Sequence, residues 1–258
     1  MAEHNSVPTD AYPAVAGSPL RELCGIGRIC AAALRRTPRA AGGLPQPAPA
    51  ALLIPGCSAP DWSMARMHRH LRARGHRTFA SRRGHREKCW RAQTDQLARR
   101  LAECAERSGG PVALVGHSLG GLQARMLGVR HPDLVAGVIT LGAPIRGIFD
   151  LSRGGTRFAE LLVAMADRGL PLPPRDCMAG GCWEATAMEL EQPVAQHIPC
   201  VCLFGRFDWT VPSRAAIHPG AEPIEVAAAH CEFGVDAEVC RIVERTLGAL
   251  GGRSRSAA

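Results

Sequence analysis

The chain has 258 residues, of which 46% are hydrophobic and 4% aromatic, and its formal net charge is +8. This length suits one large α/β domain or two small ones, and the apolar content suffices for a sizeable core. Aromatic residues are too scarce for base-stacking platforms and no nucleic-acid motif is present, so we exclude a nucleic-acid partner. The basic excess between residues 66 and 107 is typical of a solvated helix surface, although anionic lipid or an acidic substrate would suit the same charge.

The first 47 residues predict a disordered or helical segment outside the main domain. Residues 1–20 are polar and proline-rich, which predicts disorder, and 37–50 form an Ala/Gly/Pro linker. Between them, 21–36 has helical apolar spacing, although Gly25 and Gly27 disfavour a helix. We expect its apolar face to pack on the domain, with a membrane or a partner as the alternative. That face consists of Leu23, Ile26, Cys30, Ala33 and Leu34.

Residues 1–20 lack the basic and apolar regions of a secretory signal, and no apolar run reaches the roughly 18 residues that a membrane span needs. The eleven cysteines are an odd number, and their scatter through predicted elements indicates reduced thiols. Cys177 and Cys182 share a Gly-rich loop, and whether they form a bridge is left open. These features predict a cytoplasmic protein, with peripheral membrane association as the alternative.

Residues 48–250 alternate between apolar strands and helical patterns. The predicted strands are 51–54, 76–81, 112–115, 134–141, 200–204 and 223–226. Asp61 is expected to cap the first helix of this domain, 86–107 predicts a long helix, and 235–250 predicts the closing helix. A disordered tail is expected at 251–258. The alternation predicts a mostly parallel, doubly wound sheet with helices on both faces.

Residues 146–196 depart from this alternation and are too long for a simple connection. Helical patterns at 158–165 and 183–190 flank a Pro-rich stretch and the loop from Cys177 to Cys182. We interpret the segment as a helical cap inserted over the functional site. The apolar residues of the cap that are candidates to line this site are Leu161, Leu162, Val163 and Met165.

A Gly-x-Ser-x-Gly pattern centred on Ser118 follows the apolar run at 112–115 and precedes a helical pattern. This context favours a sharp strand-to-helix turn that exposes the serine hydroxyl at the carboxyl end of a strand. Gly116 and Gly120 are expected to allow the close approach of strand and helix that a side chain would block. The neighbouring His117 is expected to point away into packing.

A nucleophilic serine needs a base and an orienting carboxylate, which in doubly wound sheets stand at the carboxyl ends of later strands. Asp208 follows the strand at 200–204, and His230 follows the last strand. We therefore predict a Ser118, Asp208 and His230 triad. The backbone amides of Leu119 and Cys57 are the predicted oxyanion donors, since one follows the nucleophile and the other follows the first strand of the domain.

These residues resemble the α/β-hydrolase family, and within it the bacterial serine lipases and esterases. The resemblance spans about residues 49–250. It is carried by Leu53-Ile54-Pro55-Gly56, the Ser118 motif, Leu141-Gly142-Ala143-Pro144, Gly205-Arg206-Phe207-Asp208 and Ala229-His230-Cys231. It implies a compact sheet of about six strands and hydrolysis of an acyl ester or lipid through an acyl-enzyme on Ser118, with no cofactor and no metal. Many relatives have His-Gly where this chain has Pro55-Gly56, so the resemblance leaves the oxyanion loop's shape open.

Two other functions stay open. A thioesterase or acyltransferase of the same fold would use the same triad, because each can pass through the same acyl-enzyme. A non-catalytic binding or membrane-associated module would use the basic surface and the helix at 21–36, but would not need all three triad residues. The sequence indicates neither acyl chain length nor oligomeric state.

Overall fold

The computed structural model describes residues 17–34, 48–57, 59–83, 88–147, 152–170 and 172–256. Six strands form one sheet in the order β2-β1-β3-β4-β5-β6, and every neighbouring pair is parallel. The doubly wound, mostly parallel sheet predicted from the sequence is therefore confirmed. The strands are β1 (Ala51–Ile54), β2 (Thr78–Ala80), β3 (Val112–His117), β4 (Val135–Leu141), β5 (Cys200–Gly205) and β6 (Glu222–Val226).

Helices precede, connect and follow these strands. They are α1 (Pro19–Ala33), α2 (Ala65–Ala73), α3 (Trp90–Ser108), α4 (Leu119–Arg130), α5 (Arg153–Asp167), α6 (Arg175–Ala179), α7 (Gly181–Glu191), α8 (Ser213–Ala216) and α9 (Ala237–Ser256). Because α9 continues to Ser256, helix replaces the predicted disordered tail at 251–256.

Two hydrophobic cores lie on opposite faces of the sheet. In β1, Leu53 packs with α2 and α9, whereas Leu52 packs with α3 and α4. The alternation follows the two-residue period of a strand, and burial on both faces explains why these strands read as continuous apolar runs. The carboxyl ends of the strands are thereby left free to carry polar side chains.

Asp61 does not cap a helix, which corrects the sequence prediction. Its carboxylate accepts hydrogen bonds from the Ser81 hydroxyl (2.6 Å) and the backbone amides of Ser81 (3.2 Å) and Arg82 (2.9 Å). The helix instead follows a 3-10 turn at Asp61–Met64 that has no side-chain cap. Asp61 therefore fastens the loop after β2 to the turn that precedes α2.

Helix α1 packs on the domain with a different face from the predicted one. Glu22, Gly25 and Ala32 are buried, whereas Leu23 and Ile26 are 63% and 47% exposed. The expectation that this segment packs on the domain is met, but the choice of its apolar stripe was wrong. The helix is oriented by polar contacts of Glu22 with loops at the carboxyl edge of the sheet, which a hydrophobic pattern does not reveal.

Helices α5, α6 and α7 lie within the segment predicted as a cap. Helix α7 is fastened to the domain by Arg125, whose guanidinium donates to the carbonyls of Leu190 (2.9 Å) and Gln192 (3.0 Å). The Glu189 carboxylate is paired with both Arg91 and Arg130. Several independent contacts therefore hold α7 against α3 and α4.

The two glycines of α1 provide a matched test of how the helix packs. We expect Gly27→Ala to raise the free energy of unfolding by about 0.5–1 kcal/mol, because alanine favours a helix and nothing lies within 4 Å of the added Cβ. At Gly25 the added Cβ lies 3.0 Å from Cys231 Cβ, so Gly25→Ala should give no gain or a loss. Urea unfolding of both variants measures the difference, and equal stabilisation would contradict this packing.

Candidate active site

Ser118 occupies a strained turn between β3 and α4. Its φ is 51° and its ψ is −123°, so its backbone lies in a region that residues other than glycine rarely adopt. The Ser118 amide donates to the Leu141 carbonyl of β4 at 2.9 Å. Such a conformation persists only where the surrounding structure enforces it. The turn places the serine at the carboxyl end of a central strand.

Glycines allow three elements to meet at this turn. A Cβ on Gly116 would collide with the Gly120 carbonyl, and one on Gly120 would collide with the Ile54 carbonyl of β1. Strand β3, helix α4 and the end of β1 can therefore approach only because both positions lack a side chain. This is the close approach expected from the sequence.

His230 and Asp208 are brought to Ser118 in a hydrogen-bonded chain. His230 Nε2 lies 2.9 Å from Ser118 Oγ, and His230 Nδ1 lies 2.9 Å from Asp208 Oδ2. Asp208 is fully buried, and its second oxygen accepts from the amides of Thr210 (2.9 Å) and Val211 (2.7 Å). The structure thus places the three residues predicted as a triad within contact of one another. With a proton on Nδ1, the imidazole presents Nε2 as an acceptor for the serine hydroxyl.

The electrostatic surroundings of His230 favour its protonated form. Burial acts to lower the pKa of the imidazole, but the charge and hydrogen bond of Asp208, together with the charge of Glu22, raise it above the usual 6.5. The nearby His117 behaves in the opposite way, because burial and the charge of His230 lower its pKa to about 3. His117 therefore stays neutral when His230 takes up a proton.

His117 is part of the packing around the triad. Its ring lies 5.0 Å from the His230 ring and 5.9 Å from the Phe233 ring, and its Nε2 lies 2.9 Å from the His230 carbonyl oxygen. The side chain is packed, as expected, but it lies against the His230 ring rather than pointing away, and its hydrogen bond to the His230 backbone was not predicted. A neutral imidazole with a proton on Nε2 donates this bond and helps to hold the loop that carries His230.

Gly142, directly after β4, borders the buried carboxylate. Its φ is +53°, and a Cβ at this position would lie 2.6 Å from the Phe233 ring and 2.9 Å from Asp208 Oδ2. Glycine is therefore required both by backbone conformation and by space. This requirement gives a physical reason for the Leu-Gly-Ala-Pro sequence at that point.

The loop after β1, which carries Cys57, lies beside Ser118. A Cβ on Gly56 would be 3.3 Å from Ser118 Cβ, which places this loop next to the serine as the oxyanion prediction requires. Arg83 braces the loop, since its guanidinium donates to the carbonyls of Gly56 (2.6 Å) and Ala59 (3.2 Å) and to Gln123 Oε1 (3.0 Å). Arg83 was not predicted from the sequence, because one arginine among many carries no distinguishing pattern.

Glu22 of α1 connects the loops that carry Asp208 and His230. One carboxylate oxygen accepts from the amides of His230 (2.9 Å) and Trp209 (3.2 Å), and the other accepts from the Cys231 amide (2.8 Å). The residue is only 8% exposed. A single buried carboxylate thereby satisfies three backbone donors on two separate loops. No signal in the local sequence pointed to this contact.

Two arginines of α1 make further contacts with the segment that carries His230. Arg21 and Arg28 both pair with the buried Glu232, at 3.1 Å and 2.5 Å, and Arg21 also donates to the Ala227 carbonyl at 2.8 Å. The Arg21 guanidinium lies 4.0 Å from the centre of the Phe207 ring. Helix α1 therefore holds the His230 loop on both sides of the histidine.

Among the residues that the structure describes, one group of side chains brings ligand atoms close enough to hold a metal ion. It consists of Cys89, Cys177 and Cys182 and does not include a triad residue. Cys177 and Cys182, the pair considered for a bridge, are free thiols in this structure, and their sulfur atoms are 3.3 Å apart.

The α/β-hydrolase class is defined by a doubly wound parallel sheet with a strained serine at a strand-to-helix turn. A histidine from a later loop contacts that serine, and an aspartate from another loop contacts the histidine. The chain belongs to this family. A family model described as the alpha/beta hydrolase family matches residues 51–242. The search of curated proteins finds no match. The family and its implied hydrolase fold, expected from the sequence, are thus confirmed.

Solved structures with this fold include lipases. The Bacillus licheniformis lipase BlEst2 has a TM-score of 0.64 at 17% identity, covering 82% of this chain and 96% of its own. A soluble variant of monoglyceride lipase from Saccharomyces cerevisiae has a TM-score of 0.58 at 16% identity, with coverage of 82% and 89%. A bacterial membrane phospholipase A has a TM-score of 0.50 at 17% identity, with coverage of 90% and 91%. At these identities the likeness concerns the fold.

The structure also bears on membrane association. No helix within the described ranges combines the length and the apolar character needed to cross a bilayer.

The negative charge of Glu22 has a measurable effect on the pKa of His230. We expect Glu22→Gln to lower the pKa of His230, because a negative charge that favours the imidazolium is removed. Proton NMR titration of the imidazole resonances measures this shift without reference to any substrate. Glu103→Gln, a substitution of the same kind on α3, is the control. An unchanged His230 pKa in folded Glu22→Gln protein would show that the carboxylate does not act on the imidazole.

The role of Arg83 in positioning the loop after β1 can be tested by kinetics. Arg83→Met keeps the aliphatic stem but removes the hydrogen bonds to the loop after β1, and we expect kcat for an activated ester to fall by roughly tenfold to a hundredfold with little change in KM. Arg72→Met, at an exposed position of α2, is the control for loss of charge. A change confined to KM would instead assign Arg83 to substrate binding.

Proposed function

We propose that the protein is a serine carboxylester hydrolase of the lipase and esterase type. The observation that carries the proposal is the continuous hydrogen-bonded chain from Ser118 through His230 to Asp208, with both contacts at 2.9 Å. Its location at the carboxyl edge of a doubly wound sheet, on a strained turn, is typical of an activated nucleophile in this class.

In the proposed acylation step, Ser118 Oγ attacks the ester carbonyl carbon while His230 Nε2 accepts the hydroxyl proton. Asp208 keeps the imidazole oriented and stabilises the imidazolium that forms. The tetrahedral intermediate collapses as the bond to the alkoxy oxygen breaks, and His230 returns its proton to the departing alcohol. The products are a free alcohol and an acyl ester of Ser118.

In the proposed deacylation step, a water molecule takes the place of the alcohol. His230 removes a proton from the water as its oxygen attacks the acyl carbon, and then returns the proton to Ser118 Oγ as the acid departs. Because His230 must be neutral to act as a base, activity should rise with pH through a midpoint above 6.5, in accordance with the raised pKa of this imidazole.

The developing oxyanion is assigned to the backbone amides of Leu119 and Cys57. Leu119 is the first residue of α4, where the helix N-terminus favours negative charge. Cys57 follows Gly56 on the loop that Arg83 braces. Loss of one such donor typically costs about 2.7–4 kcal/mol of transition-state stabilisation, so the position of this loop affects the rate directly.

We infer an acyl ester or lipid as substrate. Leu162, Val163 and Met165 of α5 are half-buried, which suits the lining of an acyl site, whereas Leu161 is 55% exposed and suits it less. The exposed Leu20 and Leu23 of α1 would permit peripheral contact with a lipid surface. The lipases named above, which share the fold, support the same substrate class.

Two alternatives have distinct experimental outcomes. A thioesterase or acyltransferase would show higher kcat/KM with thioester donors, or transfer of the acyl group to an added alcohol. A non-catalytic module would show no covalent reaction with a serine-directed reagent.

The reactivity of Ser118 is the decisive test. We expect a fluorophosphonate to add once to the protein at Ser118, and not to Ser118→Ala or His230→Ala, because attack on phosphorus needs both the hydroxyl and its base. Intact mass and peptide mapping detect the adduct, and circular dichroism establishes that the variants are folded. Ester hydrolysis should be lost in Ser118→Ala. Absence of the adduct from folded protein, in detergent or lipid as well as in buffer, would refute the proposal.

A further inference from the structure

Three cysteines from separate parts of the chain converge where the cap segment meets α3. Cys89 immediately precedes α3, Cys177 lies in α6, and Cys182 lies in the first turn of α7. Their sulfur atoms all lie within 4.8 Å of one another. The Cys182 sulfur is 3.3 Å from that of Cys177 and 3.7 Å from that of Cys89. We call these residues the thiol cluster.

From this convergence we propose that the thiol cluster is a binding site for a thiophilic metal ion, of which Zn²⁺ is the best match. In tetrahedral coordination with Zn–S bonds of about 2.3 Å, neighbouring sulfur atoms lie roughly 3.8 Å apart. The separation of 3.7 Å between Cys89 and Cys182 matches this value, and that of 3.3 Å between Cys177 and Cys182 is about 0.5 Å shorter. A disulfide would use two of the sulfur atoms and would not account for the approach of the third.

The surroundings of the cluster suit a metal-thiolate site. Cys177 is 1% exposed, while Cys89 and Cys182 are half-buried, so the cluster is shielded yet reachable from solvent. It lies beside the tilted pair of Trp90 and Trp183, whose ring centres are 5.6 Å apart. Cys89 occupies the N-cap position of α3, where the backbone N–H groups of the helix N-terminus favour an anionic sulfur.

The proposed binding reaction requires no change of oxidation state. Three thiols release their protons to solvent as three sulfur–metal bonds form, and the divalent ion with three thiolates carries a net charge of −1. Three protein ligands leave the fourth tetrahedral position to water or another small donor. The consequence for the protein is a link between α3 and the α6–α7 part of the cap segment, independent of the ion pairs of Glu189.

The site is independent of ester hydrolysis and is tested by binding. We expect chelator-treated, reduced full-length protein to take up about one equivalent of Co²⁺, with a near-ultraviolet thiolate-to-cobalt charge-transfer band that Zn²⁺ abolishes. Cys89→Ser, Cys177→Ser and Cys182→Ser should each weaken binding by more than about a hundredfold, because even outer-shell changes cost 10–100-fold. Cys104→Ser, which changes a cysteine of α3 outside the cluster, should bind Co²⁺ like the wild type.

Zn²⁺ should also raise the thermal midpoint of the wild-type protein and leave that of the Cys177→Ser variant unchanged. The Co²⁺ spectrum of the wild-type protein is decisive even where a variant fails to fold. Absence of the band from folded, reduced wild-type protein would overturn the proposal, and so would its persistence in Cys89→Ser. A disulfide would be identified instead by three results together. The untreated protein would have an intact mass lower by two hydrogen atoms, it would not bind Co²⁺ before reduction, and it would show no charge-transfer band after reduction.

Discussion

The geometry of the site depends on the close meeting of β1, β3, β4 and α4 around Ser118. The serine backbone, with a φ of 51°, is held by its hydrogen bond to Leu141 and by the missing side chains at Gly116 and Gly120. A conformation of this kind costs on the order of 1–3 kcal/mol and must be enforced by its surroundings. The enforcement comes from the middle of the sheet, where β3 is flanked by β1 and β4.

Around this rigid centre, charged side chains from distant elements hold the loops. Arg83 donates to carbonyls of the loop after β1, and Glu22 accepts from amides of the loops that contain Asp208 and His230. Loops lack the regular hydrogen bonds of helices and strands, so their buried backbone groups need partners of another kind. The ionised groups provide those partners and fix the positions of the residues that the loops carry.

The sheet, and the residues that meet around Ser118, were predictable because both leave local signals. Buried parallel strands appear as short apolar runs, and Ser118 sits in a motif whose flanking strand and helix can be recognised. Asp208 and His230 follow from their places after later strands. Their mutual distances were not predictable from the sequence, but strand order constrains them to one edge of the sheet.

The misassigned face of α1 shows where pattern reading fails. Hydrophobic periodicity selected Leu23 and Ile26, whereas the buried side carries Glu22 and Gly25. The Glu22 carboxylate is buried because three backbone amides donate hydrogen bonds to it. Those amides lie roughly two hundred positions later in the chain. Asp61 was misread for the same reason, since its partners are on the loop after β2 rather than in its own helix.

The contact between Glu22 and His230 joins residues separated by 208 positions. During synthesis α1 leaves the ribosome well before the loop that completes this contact. Domains generally fold as units, so this contact is completed as part of the folding of the whole domain rather than by α1 alone. Helix α1 can therefore hold the loop that carries His230 only after all six strands of the sheet have been synthesised.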